Sequence, residues 1–162
     1  MPREITLSQG KVAVVDDADF DWLNQWKWFA LKSAQSDHWC AARNTSRKSS
    51  KKRVLYMHRL IAGLEFGDGR EVDHINLDSL DNCRSNLRVT DRTGNMRNRR
   101  RRRTNRSGFK GVSFFKRDGN WKSRIVVDGK EIWLGYFSTP EAAHAAYCEA
   151  AKQYHGEFAR TE

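Results

Sequence analysis

Apolar positions in this chain come in short runs separated by polar spacers, and the runs predict a strand-rich N-terminal part. Ile5-Thr6-Leu7 and Val12-Ala13-Val14-Val15 read as strands flanking the turn-like spacer Ser8-Gln9-Gly10-Lys11. Asp16-Asp17 offers a cap for a short helix through Phe20, Trp22 and Leu23. Trp26, Trp28 and Phe29 begin an aromatic run into Ala30-Leu31, and Trp39 to Arg43 reads as a further strand. Residues 44–53 have the composition of an exposed loop, Val54 to Met57 is a strand, and a helix starts near His58. Beyond the Gly67-Asp68-Gly69 turn come two more strand-like runs, 71–75 and 86–90, and then a helix-compatible segment from Asp91.

The last third has a cleaner pattern. Three strand-like runs, 109–115, 120–127 and 131–137, are joined by Arg117-Asp118-Gly119-Asn120 and Asp128-Gly129-Lys130, and Asp-Gly favours tight hairpin turns. Ser138 or Thr139 then caps a helix with Pro140 in its first turn; its alanines give a flat face to lie on the sheet, and Gly156 stops it. The fold class is α+β: a small β-rich N-terminal part, a central strand–strand–helix stretch, then a three-stranded antiparallel sheet packed on one helix.

Charge changes this picture. The 162 residues carry 30 Lys+Arg against 20 Asp+Glu, a formal +10. Residues 47–59 hold six basic and no acidic side chains, and residues 91–106 hold eight Arg and one Asp. Residues 60–90 lie between them with six acids against three Arg. An acidic segment inside a polyanion binder points to a metal site, whereas the basic runs fit phosphates or, more blandly, solvated loops. Seven of the ten residues 97–106 are Arg, which a core cannot accept, so this run reads as a linker lying on phosphates. Four tryptophans precede residue 40, and a segment so short uses them as core more often than as a base-stacking surface.

Three widely spaced cysteines, Cys40, Cys83 and Cys148, indicate neither a disulfide framework nor a zinc ribbon, so a reducing cytoplasm is expected. There is no 18-residue apolar run and no signal-like N-terminus, so no membrane partner is expected.

The chemistry concentrates in residues 72–98, VDHINLDSLDNCRSNLRVTDRTGNMRN. Phosphodiester cleavage needs an activated water, a cation on the phosphate and neutralisation of the added charge. Asp73 is a hard oxygen ligand suited to Mg²⁺, and Asn95 offers a second oxygen, leaving positions for phosphate and water. His74, which titrates near neutrality, is the general base. Neighbours on a strand point to opposite sides, so Asp73 and His74 can share a site only at a strand end or bend. Asn86 reads as a structural brace, and Arg84 and Arg88 as phosphate contacts. His58 stays open between metal ligand, phosphate contact and packing.

This stretch, with the preceding Tyr56-Met57-His58-Arg59-Leu60-Ile61, resembles the core of HNH homing endonucleases in their His-Asn-Asn form. The resemblance implies a ββα-metal fold over about residues 70–98, with Asp73 and Asn95 as metal ligands, His74 as general base and Asn86 as the brace. It also implies Mg²⁺, or Mn²⁺, rather than zinc, and products with a 5′-phosphate and a 3′-hydroxyl. Residues 108–159 resemble the DNA-binding domain of plant ethylene-response factors (the APETALA type), through Lys110-Gly111-Val112, Trp121, Trp133 to Phe137, Glu141-Ala142-Ala143, Ala146-Tyr147, Ala150-Ala151 and Gly156. That domain lays its sheet in the major groove, and Lys110, Arg124 and Trp133 match its DNA-contacting positions. Ser113 and Val126 stand where Arg is typical, so Lys116, Arg117, Lys122 and Arg124 are expected mostly on phosphates.

The expected organisation is a nuclease domain over 1–98, an Arg-rich linker over 99–107 and a DNA-binding domain over 108–162. Arg97, Arg99, Arg100, Arg101, Arg102 and Arg103 are expected on the DNA backbone. The expected function is metal-dependent cutting of double-stranded DNA by a monomeric, phage-encoded homing-type enzyme in the cytoplasm of a bacterial host. The alternative is a non-catalytic DNA-binding regulator with a vestigial nuclease fold. RNA binding has no aromatic recognition motif behind it.

Overall fold

The first two apolar runs pair with each other. Strand β1 (Pro2–Thr6) runs antiparallel to β2 (Val12–Asp16), setting Ile5 opposite Ala13, and the spacer is a 3-10 turn over Ser8–Gly10. Helix α1 (Asp17–Asn24) follows at once, with Asp17 and Asp19 in its first turn, where exposed backbone N–H groups favour negative charge. The Trp26 N–H closes back on Leu23 O at 3.3 Å, so the chain is still turning there and the next strand starts only at Phe29.

This computed structural model describes residues 1–33, 38–45, 53–98 and 104–161, which form two compact units, Met1–Arg92 and Thr93–Glu162. The first unit continues with β3 (Phe29–Lys32), β4 (Trp39–Asn44) and β5 (Val54–Tyr56), an antiparallel sheet in that order. Helix α2 (Met57–Ile61) and the antiparallel ribbon of β6 (Glu71–His74) and β7 (Leu87–Thr90) complete it. Helix α3 (Arg92–Arg97) spans the division between the units.

The first core joins hairpin, helices and sheet through Ile5, Leu7, Ala13, Val15, Leu23, Trp28, Ala30, Ala41, Met57 and Ile61. Trp28 is buried, and Trp22, Trp26 and Trp39 pack against that cluster, so these rings are core material. The three cysteines are free thiols.

Asp19 ties α1 to the far end of the central motif. It accepts from Arg84 Nε and Nη2, both at 2.7 Å, and from Trp22 Nε1 at 3.0 Å, while the Arg84 backbone N–H donates to Asp16 Oδ2 at 2.7 Å. The charge-assisted bonds from Arg84 hold the Asp19 carboxyl below its ordinary range against the opposing effect of burial.

In the second unit β8 (Val112–Phe115), β9 (Asn120–Val127) and β10 (Lys130–Phe137) form an antiparallel sheet in the order β10-β9-β8. Helix α4 (Pro140–His155) covers one face. Thr139 caps it by accepting from Ala142 N at 3.2 Å, and Gly156 ends it with φ +53°. Ile125, Tyr147, Ala150 and Ala151 form its core. The expected strand start at residue 109 moves to Val112 because Gly111 turns the chain at φ +76° directly against the Tyr147 ring, leaving no room for a Cβ.

A lowered folded-state pKa makes Asp19 a pH-dependent brace. Its contribution is complete above the unfolded value near 3.8 and is lost as pH falls through the lower folded value. In denaturant unfolding, Asp19→Asn is expected to be less stable than wild type by about 1–2 kcal/mol near neutral pH, with the gap shrinking below about pH 4. A gap that stays constant down to about pH 3 would remove Asp19 from this role.

Candidate active site and nucleic-acid interface

The ribbon β6–β7 places Asp73 opposite Arg88 and His74 opposite Leu87. His74 is the last residue of β6, and the chain turns immediately afterwards, with Leu77 N donating to His74 O at 2.9 Å. Asp73 and His74 therefore meet the condition that alternation imposes on neighbours sharing a site. The loop between the strands is closed by Asn86. Its Oδ1 accepts from Asn76 N at 2.9 Å and its Nδ2 donates to Asp81 O at 2.8 Å. Asn76 Nδ2 also donates to Asp81 Oδ2 at 2.7 Å.

The N-terminal hairpin holds this loop from outside. Val14 N donates to Leu80 O at 2.9 Å, and Asn82 N donates to Val14 O at 2.7 Å. Ser79 Oγ adds a 2.8 Å bond to Trp39 O. On the entry side Arg59 gathers the carbonyls of Arg70, Asp68 and Glu65 at 2.7, 2.9 and 3.2 Å, fixing the turn that leads into β6.

Asp73 and His74 are both buried, at 4% and 8% exposure. Arg88 donates to Asp73 Oδ2 through Nε at 2.9 Å and Nη2 at 2.7 Å, so a buried carboxylate has a half-buried counter-charge. Burial pushes the His74 imidazole down from its ordinary value, partly offset by the neighbouring Asn82 side chain and by the charges of Asp73, Asp78 and Asp81. The net effect favours the unprotonated ring, which a general base requires. His58 lies edge-on to His74, with ring centroids 5.1 Å apart. Burial, followed by the nearby His74 and Arg59, pushes it down to about 3.

Among the sequence-predicted residues the structure thus brings together Asp73, His74, Asn86 and Arg88 within the first unit. Arg84 lies on the same loop with its guanidinium on Asp19. Asn95 lies on α3, half-buried, in the second unit. Arg99, Arg100, Arg101, Arg102 and Arg103 fall outside the described residues. Sequence reasoning missed Asn82 altogether and left His58 undecided. An asparagine in a polar loop gives no local sign of burial, and only the chain's return against β2 encloses it.

No group of three His, Cys, Asp or Glu side chains able to hold a metal ion exists among the described residues. A buried carboxylate already attracting a cation, beside an imidazole, fits a hard divalent ion completed by amide, phosphate and water oxygens.

In the second unit the sheet face away from the helix carries the charges. Ser123 and Ile125 are buried, whereas Arg124, Val126, Trp133 and Tyr136 are exposed, with Trp133 directly across from Arg124. Lys122 and Arg124 both pair with Glu131, and Arg117 with Asp118. Lys110 donates to Arg97 O at 2.9 Å, and burial, then Arg160, pushes its ammonium down to about 8. Arg97 itself pairs with Asp128 at 2.8 Å. Lys116 extends this basic edge in sequence, next to Arg117.

Comparison with known proteins finds matches for both parts of the chain. A family model described as HNH endonuclease matches residues 55–97, and one described as AP2 domain matches residues 107–157. Over 60 residues the chain is 42% identical to the AP2-like ethylene-responsive transcription factor TOE2 of Arabidopsis thaliana, covering 37% of this chain and 12% of that protein. It is 43% identical over 58 residues to the APETALA2-like protein 2 of Oryza sativa subsp. indica, covering 36% of this chain and 13% of that one. The chain thus spans only a small part of these plant relatives. Protein 3.8 of Escherichia phage T7 is 29% identical over 92 residues, 57% of this chain and 75% of that protein. No solved structure matches the chain. No helix among the described residues is long and apolar enough to cross a membrane. The chain carries an HNH endonuclease domain followed by an AP2 domain.

Proposed function

We propose that this protein is a metal-dependent endonuclease that hydrolyses phosphodiester bonds in double-stranded DNA. The observation that carries the reading is the buried Asp73–His74 pair at the end of β6, with Arg88 on the carboxylate. His74, whose pKa burial lowers, takes the proton of the attacking water. Asp73 and Asn95 are the residues that would hold a divalent ion, Mg²⁺ or Mn²⁺. Such an ion, when bound, neutralises charge on the phosphate and stabilises the leaving oxygen. Asn86 keeps the loop closed so that the imidazole and carboxylate hold their places. Arg88 exchanges part of its hold on Asp73 for a phosphate oxygen when DNA arrives, and the exposed side of Arg84 offers a second contact.

The AP2 domain supplies the second grip on DNA. Lys122, Arg124 and Trp133 sit on its open sheet face, with Lys116 and Arg117 near its edge, while Lys110 and Arg97 support its base. Residues 1–98 would cut, residues 99–107, with Arg99 to Arg103, would lie on the backbone, and residues 108–162 would bind. The match to a phage protein supports a phage-encoded role; a homing-type enzyme acting as a monomer in a bacterial cytoplasm completes the reading. One observation favours the second reading, a DNA-binding regulator without catalysis: Arg88 already satisfies the Asp73 carboxylate.

Purified protein incubated with supercoiled plasmid separates the two. Nicking or linearisation is expected with Mg²⁺, none with a chelator, and a loss of at least about 100-fold in rate for His74→Ala. Salt-sensitive binding without any cutting would select the regulator instead. Removing residues 107–162 is expected to weaken DNA binding at least about tenfold and to leave slow, metal-dependent cutting. Unchanged affinity in a gel-shift titration would show that the AP2 domain is not a grip.

A further inference from the structure

Arginine side chains lie over aromatic rings at four places among the described residues. The guanidinium of Arg3 stands 3.4 Å from the Phe20 ring centroid, that of Arg43 4.2 Å from Trp26, that of Arg53 4.0 Å from Phe66 and that of Arg117 5.3 Å from Phe115. Two of the four already meet carboxylates: Arg3 pairs with Asp17 and Asp21, and Arg117 with Asp118. Arg43 and Arg53 meet none among the described residues. Arg43 is half-buried, and its Nε is buried there without a hydrogen-bond partner. A partly desolvated cation with no counter-charge is costly, and stacking on Trp26 offsets only part of that cost.

Both arginines belong to the hairpin of β4 and β5. Arg43 stands opposite Leu55. Just beyond the paired strands Thr45 N donates to Arg53 O at 2.9 Å, and Arg53 N donates to Thr45 Oγ1 at 3.1 Å. Arg53 lies two residues before Leu55, so strand alternation brings it to the same face of the hairpin as Arg43. Residues 44–53 hold five basic side chains and no acid, so no carboxylate of that stretch answers them. The rings under the two guanidiniums are themselves anchored. Trp26 packs against the first core, and Phe66 stands on the turn whose carbonyls Arg59 gathers, two residues after the buried Leu64. β5 leads straight into α2, where the Tyr56 ring stacks on His58 and His58 stands edge-on to His74. The hairpin therefore adjoins the candidate active site within one compact unit.

We propose that Arg43 and Arg53 form a clamp for the DNA sugar–phosphate backbone, each guanidinium donating to phosphate oxygens beside the cutting site. The planar fork of arginine matches a phosphate with two parallel N–H bonds and is more weakly hydrated than an ammonium. A guanidinium already held on a ring loses little further freedom when phosphate arrives. Phosphate contacts fix the register of a protein on the duplex and carry no sequence information, so this clamp holds the strand whatever its bases. Arg3, stacked in the same way but held by two carboxylates, is the internal contrast. The inference rests on the reading of the chain as a DNA endonuclease and gives the N-terminal sheet a part in it, but its binding arm needs no cutting to be observed.

The test titrates the full-length chain into a fluorescent duplex of random sequence, with a chelator present, and reads binding by anisotropy at salt concentrations between about 50 and 300 mM. Each neutralised phosphate contributes about 0.9 to the slope of log affinity against log salt. Arg43→Gln and Arg53→Gln are each expected to lower that slope by about 1 and to weaken binding about three- to tenfold, and the double variant to lower the slope by about 2. Arg43→Lys, which keeps the charge, is expected to keep the slope. Arg3→Gln is expected to bind with the slope of wild type. A stacking role confined to the fold would lower the melting temperature without moving the slope. If Arg43→Gln does not fold, Arg53→Gln, whose side chain is exposed, carries the comparison. An unchanged slope in either folded single variant, or an equal fall in Arg3→Gln, overturns the proposal. If the wild-type chain binds DNA but cuts none in Mg²⁺ while both slopes still fall, the nuclease reading fails and the clamp stands.

Discussion

Everything in the first unit follows from burying a carboxylate and an imidazole side by side at the end of a four-residue strand. A two-stranded ribbon is marginal in water by itself, and a buried charge without a partner costs several kcal/mol. Arg88, directly across the ribbon from Asp73, removes the second difficulty with two bonds to one carboxylate oxygen. The first is removed from outside. β2 pins the loop at Leu80 and Asn82, Asp19 and Asp16 hold Arg84, and Arg59 gathers the carbonyls of the entry turn. The tryptophan-rich N-terminal part is therefore scaffold for a site that lies beyond it in the chain.

Period and turn chemistry carried the local structure into view. The Asp-Gly turns, the Thr139 cap and the Gly156 stop are all short-range signals, and the second unit follows them closely. The Asp73–His74 pair was legible because its condition, a strand end, is also local. What sequence could not show were partners far along the chain. Arg84 meets Asp16 and Asp19 across separations of 68 and 65 residues, and nothing periodic marks such a meeting. A basic side chain looks the same in sequence whether it waits for phosphate or rests on a carboxylate. Asn82 and His58 were obscure for a related reason, since their burial depends on what the N-terminal hairpin and α2 bring to them.

The second unit solves a different problem. Alanines at 143, 150 and 151 let α4 lie close on the sheet, and Gly111 admits the Tyr147 ring where any side chain would collide. That leaves the opposite face with exposed Trp133, Tyr136 and Val126 among charges already paired, Lys122 and Arg124 on Glu131. Exposed ion pairs of this kind contribute little to stability and exchange readily for phosphate. The face is thus suited to a nucleic acid without depending on one to fold.

The central claim is that the buried Asp73–His74 pair hydrolyses DNA with a divalent ion. Its most direct test is the chemistry of the ends. Plasmid nicked by the protein in Mg²⁺ is treated with DNA ligase alone, without a kinase or phosphatase, and the topology is read on a gel. The account predicts nicks that carry a 5′-phosphate and a 3′-hydroxyl and are resealed to closed circles. Nicks that ligase cannot seal, or that form equally well with a chelator present, would contradict it.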